Sequence, residues 1–223
     1  MIQLDCDAVL FDLDGVLIDS TSCITRHWQE WARQHGLEMA TVMDVAHGLR
    51  TVETMRLVAP QLNVEREAEL FTAAEVMDTE GVVAIEGALP LLKGLPEDAW
   101  AIVTSGSNEL AVARLNQAGL PVPKILVSGD DVAQGKPAPE PYLVGSNRLG
   151  MAVERCVVIE DSPAGIKAAR AAEMQVIGIT TTHSREELDC RIVVDRLSAL
   201  QSRVGGREKT HLLIQIEEMS GDE

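Results

Sequence analysis

The sequence predicts an α/β fold in which a mostly parallel sheet carries helices on both faces. Short apolar runs of strand length alternate with helical patterns of about ten residues or more along the second half of the chain. The first apolar run, 8–11 (AVLF), stops at the acidic turn 12–15 (DLDG), which is typical of a buried strand followed by a tight loop. Because sheets of this kind bind ligands beyond the carboxyl ends of their strands, we expect functional residues to follow strands directly.

The region from residue 19 to about residue 71 has a helical pattern instead. Asp19, Ser20 and Thr21 are good N-cap residues for a first helix, and Gly36 is expected to end it. Further helices are expected over 41–46, 51–58 and 64–77.

Beyond residue 84 the alternation of strands and helices begins again. Strands are expected over 99–103, 125–127, 156–159, 176–179 and 192–194, and helices over 89–95, 108–118, 142–149 and 164–172. The stretch 200–216 is expected to form a hairpin that turns at Gly205 and Gly206, and 221–223 is expected to be a frayed acidic tail.

The composition is that of a soluble globular protein, with 46% apolar and 24% charged residues among 223. The formal net charge of -16 argues against nucleic acid and anionic membranes as partners. The apolar runs are far shorter than a membrane span, and the first residues lack the basic region of a signal peptide. We therefore expect a cytoplasmic protein that is a monomer or a weak homodimer.

The cysteines and histidines form no pattern that indicates a disulfide or a zinc site. The four cysteines are far apart, without a C-x-x-C pair, and are expected to be reduced. The five histidines show no H-x-x-x-H spacing.

The first of four polar clusters is the pair Asp12 and Asp14. Two carboxylates two residues apart on a turn can face one pocket, where their repulsion is relieved by a cation between them or by a proton on one of them. Oxygen ligands of this kind suit Mg²⁺. The same sequence also suits a solvated Asp-Gly turn.

The second and third clusters offer groups that bind an anion. The segment 103–107 (VTSGS) brings hydroxyl and backbone N–H groups to the start of a helix, a natural phosphate site, although ordinary Ser/Thr capping is the simpler explanation of this segment alone. The proline-rich loop after Gly135 would hold Lys136 in place, and its ammonium could neutralise a phosphate and a nucleophile together. An exposed lysine in a turn is the simpler explanation.

The fourth cluster is Glu160 and Asp161, followed by Ser162. Adjacent carboxylates at the end of a strand again indicate a metal site. Capping of the next helix by Ser162 is the structural alternative.

In order and residue type, these four clusters resemble the four motifs of the haloacid dehalogenase-like phosphatases. The matching segments are 11–16 (FDLDGV), 103–107 (VTSGS), 135–137 (GKP) and 159–165 (IEDSPAG). The resemblance extends from about residue 7 to residue 195. It implies a Rossmann-like parallel-sheet core formed by 1–19 and 85–223, with an α-helical cap inserted at 20–84.

The resemblance also implies a role for each matching residue, and a small phosphorylated metabolite as substrate. Asp12 would attack phosphorus and become an aspartyl phosphate, and Asp14 would protonate the leaving oxygen and later deprotonate a water. Ser105 and Gly106 would bind the phosphoryl group, while Lys136 would balance its charge. Mg²⁺ would be held by Asp12, the main-chain carbonyl of Asp14, Asp161, and Glu160 directly or through water.

The cap resembles that of the sugar and polyol phosphatases of the family, among them the hexitol phosphatase, 2-deoxyglucose-6-phosphatase and glycerol-3-phosphatase groups. The segments 28–36 (WQEWARQHG) and 47–50 (HGLR) carry this likeness. His47, Arg50 and Glu53 are expected to bind substrate hydroxyls or a second anionic group. Helix capping with a surface Arg–Glu pair is the alternative explanation.

Two other functions compete with a phosphatase. A phosphosugar mutase of the β-phosphoglucomutase type shares the motifs, but this chain has Ile24 where such mutases carry a cap histidine, with His27 nearby. A non-catalytic, phosphate-binding regulatory protein would be expected to have lost an essential carboxylate.

Trp28 and Trp31 are expected to belong to the core of the cap rather than to stack on substrate.

Overall fold

The computed structural model describes residues 2–46, 48–204 and 212–216. The strands are β1 Ile2–Cys6, β2 Ala8–Phe11, β3 Ile18–Asp19, β4 Val83–Ala84, β5 Trp100–Val103, β6 Leu126–Val127, β7 Cys156–Glu160, β8 Gln175–Ile179, β9 Val193–Val194, β10 Leu200–Val204 and β11 Leu212–Ile216. The helices are α1 Thr21–His35, α2 Met39–Ala46, α3 Thr51–Val58, α4 Val64–Met77, α5 Ala88–Gly94, α6 Asn108–Ala118, α7 Glu140–Leu149, α8 Pro163–Ala171 and α9 Arg185–Leu188. Single 3-10 turns cover Gly129–Asp131, Val153–Arg155 and Leu197–Ala199.

A parallel sheet with the strand order β6-β5-β2-β7-β8-β9 forms the centre of the protein. The first strand of the α/β pattern, β2, lies between β5 and β7, so that Leu10 is paired with Ala101 on one side and Val158 on the other. All residues of β2, β5 and β7 are buried, as expected for strands covered on both faces. The predicted α/β fold class is confirmed.

Helices cover both faces of this sheet. On one face, Leu91 of α5 and Leu115 of α6 pack with Phe11 and Ile102. On the other face, Tyr142 of α7 and the alanines of α8 pack with Leu10 and its neighbours. Apolar burial on both faces fixes the carboxyl ends of β2, β5 and β7 side by side.

Helices α1 to α4, which we call the cap segment, have a hydrophobic cluster of their own. Trp28 and Phe71 lie with their ring centroids 4.3 Å apart, and Trp31 meets Trp28 edge-on at 5.4 Å. At the base of the segment, β3 and β4 form an antiparallel pair, with Ile18 opposite Ala84. The two connections between the cap segment and the sheet therefore run next to each other.

A second, antiparallel sheet has the order β1-β11-β10. Pairing of Leu200 with Ile216 agrees with the predicted hairpin, whereas its turn at Gly205 and Gly206 and the tail 221–223 lie outside the described residues. Strand β1 was not expected from the sequence. Its pairing of Ile2 with Ile216 joins opposite ends of the chain, and local patterns carry no signal for such a contact.

Among the described residues, no helix combines the length and apolar character that crossing a bilayer requires.

Candidate active site

The predicted functional residues gather at the carboxyl edge of the parallel sheet. Asp12 follows β2, Thr104 and Ser105 follow β5, and Asp161 follows β7. They border a cavity of about 90 Å³ between the sheet and the cap segment. The other residues that line it include Asp14, Gly15, Ser20, Thr21, Ile24, Trp28, Gly48, Leu49, Thr51, Glu75, Gly106, Leu110, Arg114 and Thr182.

A buried lysine joins the first and fourth clusters. The Nζ of Lys136 donates to Oδ1 of Asp12 at 2.5 Å, to Oε1 of Glu160 at 2.6 Å and to the carbonyl of Val103 at 3.1 Å. Lys136 is 2% exposed and precedes a cis peptide bond to Pro137. The ammonium thus has three acceptors and cannot turn away from the carboxylate of Asp12 without losing them.

Both carboxylate oxygens of Glu160 accept hydrogen bonds. Its Oε1 accepts from Lys136 and from the hydroxyl of Tyr142 at 2.7 Å. Its Oε2 accepts from the backbone N–H of Asp161 and from both the N–H and the hydroxyl of Ser162, at 3.0 to 3.1 Å. Helix α8 comes so close that a Cβ on Gly165 would lie 1.7 Å from Oε1, so only glycine fits there.

Asp161 is held by a residue that the sequence analysis did not single out. The hydroxyl of Thr182 donates to Oδ2 of Asp161 at 2.6 Å. Gly15, at a φ of 81°, approaches the same carboxylate, because a Cβ at that position would lie 1.9 Å from Oδ2. Glycine is thus required at position 15 both for its left-handed backbone and for this close approach.

Burial dominates the electrostatics of these acids. It raises the pKa of Asp12 to about 7, even though Lys136 lowers it and the charge of Glu160 raises it further. Burial also raises the pKa of Asp161 well above its usual range, with the charges of Asp12 and Glu160 adding to the effect. For Lys136, burial opposes the charged form, but the negative charges of Asp12 and Glu160 outweigh it and raise the pKa.

The carboxylates fit a divalent cation. Asp12, Glu160 and Asp161 each offer one oxygen, and the three oxygens lie within 4.8 Å of one another. Three buried acids face one ammonium, so negative charge remains to be neutralised. Hard oxygen donors around a site of excess negative charge are what Mg²⁺ selects.

Asp14 lies beside this cluster and borders the cavity. Its Oδ1 accepts from the hydroxyl of Ser20 at 2.5 Å and from Nη1 of Arg114 at 2.8 Å. Nη2 of Arg114 donates to Oε1 of Glu75 at 2.7 Å. Leu13, between the two aspartates, points into the core and is fully buried.

The segment 103–107, in which a phosphate site was expected, contacts the cap segment directly. The hydroxyl of Ser105 donates to the carbonyl of Gly48 at 2.8 Å. The N–H of Gly106 donates to the hydroxyl of Thr104 at 3.1 Å. Both Ser105 and Gly106 line the cavity.

The structure does not bring Arg50 and Glu53 to the cavity. Arg50 donates to the carbonyls of Val132 at 3.2 Å and Ala133 at 3.1 Å, outside the cap segment, and to Glu53 at 2.5 Å. Glu53 accepts from the N–H of Arg50, which completes a capping box at the start of α3. Both residues contact protein groups where substrate contacts were expected, and His47 lies outside the described residues.

Ile24 and His27 are relevant to the mutase alternative, because mutases of the β-phosphoglucomutase type carry a cap histidine where this chain has Ile24. Ile24 borders the cavity, whereas His27 is turned to Asp78, with 3.5 Å between Nε2 and Oδ2. Trp28 belongs to the cluster of the cap segment and also touches the cavity, and Trp31 belongs to the cluster alone.

The sequence patterns did not indicate several residues of the site. Thr182 lies just past the end of β8, so its position after a strand was an available signal. Arg114, Glu75 and Tyr142 lie inside helices, where only the three-dimensional structure shows which way each side chain points.

Comparisons with known proteins agree with this geometry. The family model described as haloacid dehalogenase-like hydrolase matches residues 9–179. Hexitol phosphatase A of Escherichia coli (strain K12) is 43% identical over 183 residues, covering 78% of this chain and 83% of the relative. Glycerol-1-phosphate phosphohydrolase 2 of Saccharomyces cerevisiae is 36% identical over 220 residues, covering 92% of this chain and 87% of the relative.

The fold also has solved counterparts. A hydrolase from Pseudomonas syringae superposes with a TM-score of 0.76 at 25% identity, covering 86% of this chain and 94% of that one. The predicted family is thereby confirmed: the chain belongs to the haloacid dehalogenase-like hydrolases.

Proposed function

We propose that the protein hydrolyses phosphomonoesters of small sugars or polyols through an aspartyl phosphate on Asp12. One observation carries this proposal. The Asp12 carboxylate borders the cavity while a buried Lys136 holds its Oδ1 at 2.5 Å, so that an oxygen nucleophile and a fixed cation share one small site.

The reaction has two steps of the same kind. First, a carboxylate oxygen of Asp12 attacks phosphorus, the bond from phosphorus to the leaving oxygen breaks, and Asp14 gives its proton to that oxygen. Next, Asp14 takes a proton from a water, the water oxygen bonds to phosphorus, and the bond to Asp12 breaks. Free phosphate leaves and both aspartates return to their starting states.

Electrostatics supplies most of the rate enhancement in phosphoryl transfer. Lys136 balances charge beside Asp12, and Ser105 and Gly106 bind the oxygens of the phosphoryl group. Bound Mg²⁺ would add positive charge next to those oxygens. Its ligands would be Asp12, Asp161, the main-chain carbonyl of Asp14, and Glu160 directly or through water.

The substrate class follows from the cavity and from the two named relatives. The cavity is small and presents polar side chains from the cap segment, including Thr21 and Thr51. Hydroxyl groups of a leaving polyol are suited to such partners, and long apolar leaving groups are not. The names of the relatives point to hexitol and glycerol phosphates.

A screen for phosphate release tests the proposal. Hexitol, hexose, pentose and glycerol phosphates are each incubated with the protein in Mg²⁺ and in excess chelator. Release in Mg²⁺ that chelator abolishes is the expected result, and Asp12→Asn should remove it. Asp98→Asn is the matched control, since Asp98 is exposed and paired with Lys124 away from the cavity.

The alternatives predict other outcomes. An isomerised sugar phosphate without free phosphate would indicate a mutase. Phosphate binding with no turnover of any compound would indicate a regulatory protein.

A further inference from the structure

A buried arginine connects the second aspartate of the site to the cap segment. Arg114, on α6, is 3% exposed and lies between Asp14 at 2.8 Å and Glu75 at 2.7 Å. Glu75 is on α4, which packs against α6, and is itself 4% exposed. One guanidinium therefore joins a cap helix to the proposed acid of the reaction.

This arrangement is a poor device for stability. Among the described residues no hydrogen-bond partner reaches the buried Nε of Arg114. An unsatisfied buried donor lowers stability, and buried ion pairs often contribute less than apolar side chains of the same size. Burial also raises the pKa of Glu75 to about 7 despite the charge of Arg114, which shows that the carboxylate is held at a cost.

The hydrogen bonds of Arg114 and Ser20 are suited to orienting the carboxylate of Asp14. Both Ser20 and Arg114 donate to Oδ1, whereas in the described part of the chain no hydrogen bond reaches Oδ2. A carboxylate fixed through one oxygen leaves the other free to exchange a proton at a set place. General acid catalysis depends on that placement, because a proton is transferred only within hydrogen-bond reach.

We propose that Arg114 is a positioning residue, anchored by Glu75 of the cap segment, that orients the Asp14 carboxylate toward the leaving oxygen of the substrate. The inference rests on the proposed function and deepens it. Protonation of the leaving oxygen then depends on a contact between the cap segment and α6, so that a residue of the cap acts on the chemistry without touching the reacting atoms.

The dependence on the leaving group distinguishes positioning from a structural role. Alkyl and polyol phosphates need a proton on the departing oxygen, whereas 4-nitrophenyl phosphate does not, because its leaving oxygen is a stable anion. The quantity to compare is kcat/KM, which includes leaving-group departure and excludes later hydrolysis of the aspartyl phosphate. We expect Arg114→Met to lower kcat/KM for glycerol phosphate about 10- to 100-fold and for 4-nitrophenyl phosphate about threefold or less.

Additional variants keep the experiment decisive. Glu75→Gln should show the same preference with smaller losses, and Arg114→Lys should restore part of the rate on glycerol phosphate. In an Asp14→Asn background, Arg114→Met should cause no further loss of kcat/KM on glycerol phosphate, since the residue to be positioned is gone. Arg148→Met removes an arginine–carboxylate pair elsewhere and should leave both rates unchanged. Thermal unfolding checks that each variant folds, and Arg114→Gln replaces Arg114→Met if the latter does not.

The outcomes are distinct. Equal losses on both substrates in folded variants, with an active wild type, would overturn the role of Arg114 and leave the proposed function standing. A wild type that releases phosphate from none of the hexitol, hexose, pentose and glycerol phosphates would overturn the proposed function and this inference together.

Discussion

The ammonium of Lys136 lies 2.5 Å from Oδ1 of Asp12 and 2.6 Å from Oε1 of Glu160, entirely inside the protein. It joins two carboxylates that are 148 positions apart in sequence, at residues 12 and 160. This one group joins β2, β5 and β7 to the loop before α7. We therefore expect the lysine to affect both stability and the proposed reaction, and the two effects can be measured separately.

Lys136→Met should lower both activity and stability. Loss of a preorganised cation typically costs about 10²–10³ in kcat, and two buried carboxylates without their partner cost on the order of 3–5 kcal/mol. Steady-state kinetics and chemical unfolding measure the two effects. Lys124→Met is the control, because Lys124 is exposed and its ion pairs lie on the surface. A fully active Lys136→Met variant would contradict the charge-balancing role.

Much of this site was predictable because it follows a rule about strands. Asp12, Ser105 and Asp161 come directly after strands of a parallel sheet, and neighbouring strand ends meet at one edge. Lys136 follows no strand closely, and it was singled out by its proline-rich loop together with the resemblance to a motif. Arg114 and Glu75 could not be predicted, since their contact depends on how the cap segment lies on α6.

The fold, too, has elements that the local sequence predicts and elements that depend on distant contacts. Buried strands such as β2 have strong local patterns, and the sequence predicts them to within a residue or two. Strand β1 has none, because it is stabilised by pairing with β11 at the other end of the chain. Arg50 was expected to contact substrate, and in the structure its guanidinium donates to two core carbonyls, a contact that the local sequence does not indicate.

Removal of Mg²⁺ should lower stability as well as activity. A ligand that binds only the folded protein stabilises it by about 2.7 kcal/mol at one hundred times its Kd. We expect the Tm to rise on addition of Mg²⁺ and to fall back with chelator. Asp161→Asn should abolish the rise, whereas Asp98→Asn should retain it. An equal rise in both variants would mean that Mg²⁺ binds elsewhere.

Gly165→Ala should disturb the site by displacing the carboxylate of Glu160. The new Cβ would lie 1.7 Å from Oε1 of Glu160, so the carboxylate must move and loosen its hold on Lys136. We expect kcat to fall at least about tenfold, because a displaced group in the site lowers the rate. Gly119→Ala is the comparison: it has open space but a φ of 68°, so it should cost about 1 kcal/mol of stability and no activity. Comparable activity losses in the two variants would argue against the clash.

Arg50→Met should weaken the contact between the cap segment and the core without changing which substrates are preferred. Its guanidinium binds the carbonyls of Val132 and Ala133. We therefore expect kcat/KM to fall by the same factor for hexitol, hexose and glycerol phosphates. A loss confined to one substrate class would show instead that Arg50 contacts the leaving group, as the sequence first indicated.

Glu75 should make the stability of the protein depend on pH in a defined direction. Its pKa is raised from 4.5 to about 7, chiefly by burial, so the folded state holds a proton that the unfolded state releases between these values. The contribution is fully present below about pH 4.5 and is lost as pH rises through 7, at about 1.4 kcal/mol for each unit of pKa shift.

Comparison with Glu75→Gln isolates this effect from the other buried acids, because the amide does not titrate. The unfolding free energy of the wild type minus that of Glu75→Gln should fall by up to about 3 kcal/mol between pH 5 and pH 8. Urea unfolding at a series of pH values measures the difference. A difference that stays constant would mean that Arg114 compensates fully for the burial of Glu75, and one that rises with pH would reverse the sign of the argument. The expected fall follows from the position of Glu75, a carboxylate that the cap segment buries beside the cavity and that a single guanidinium neutralises only in part.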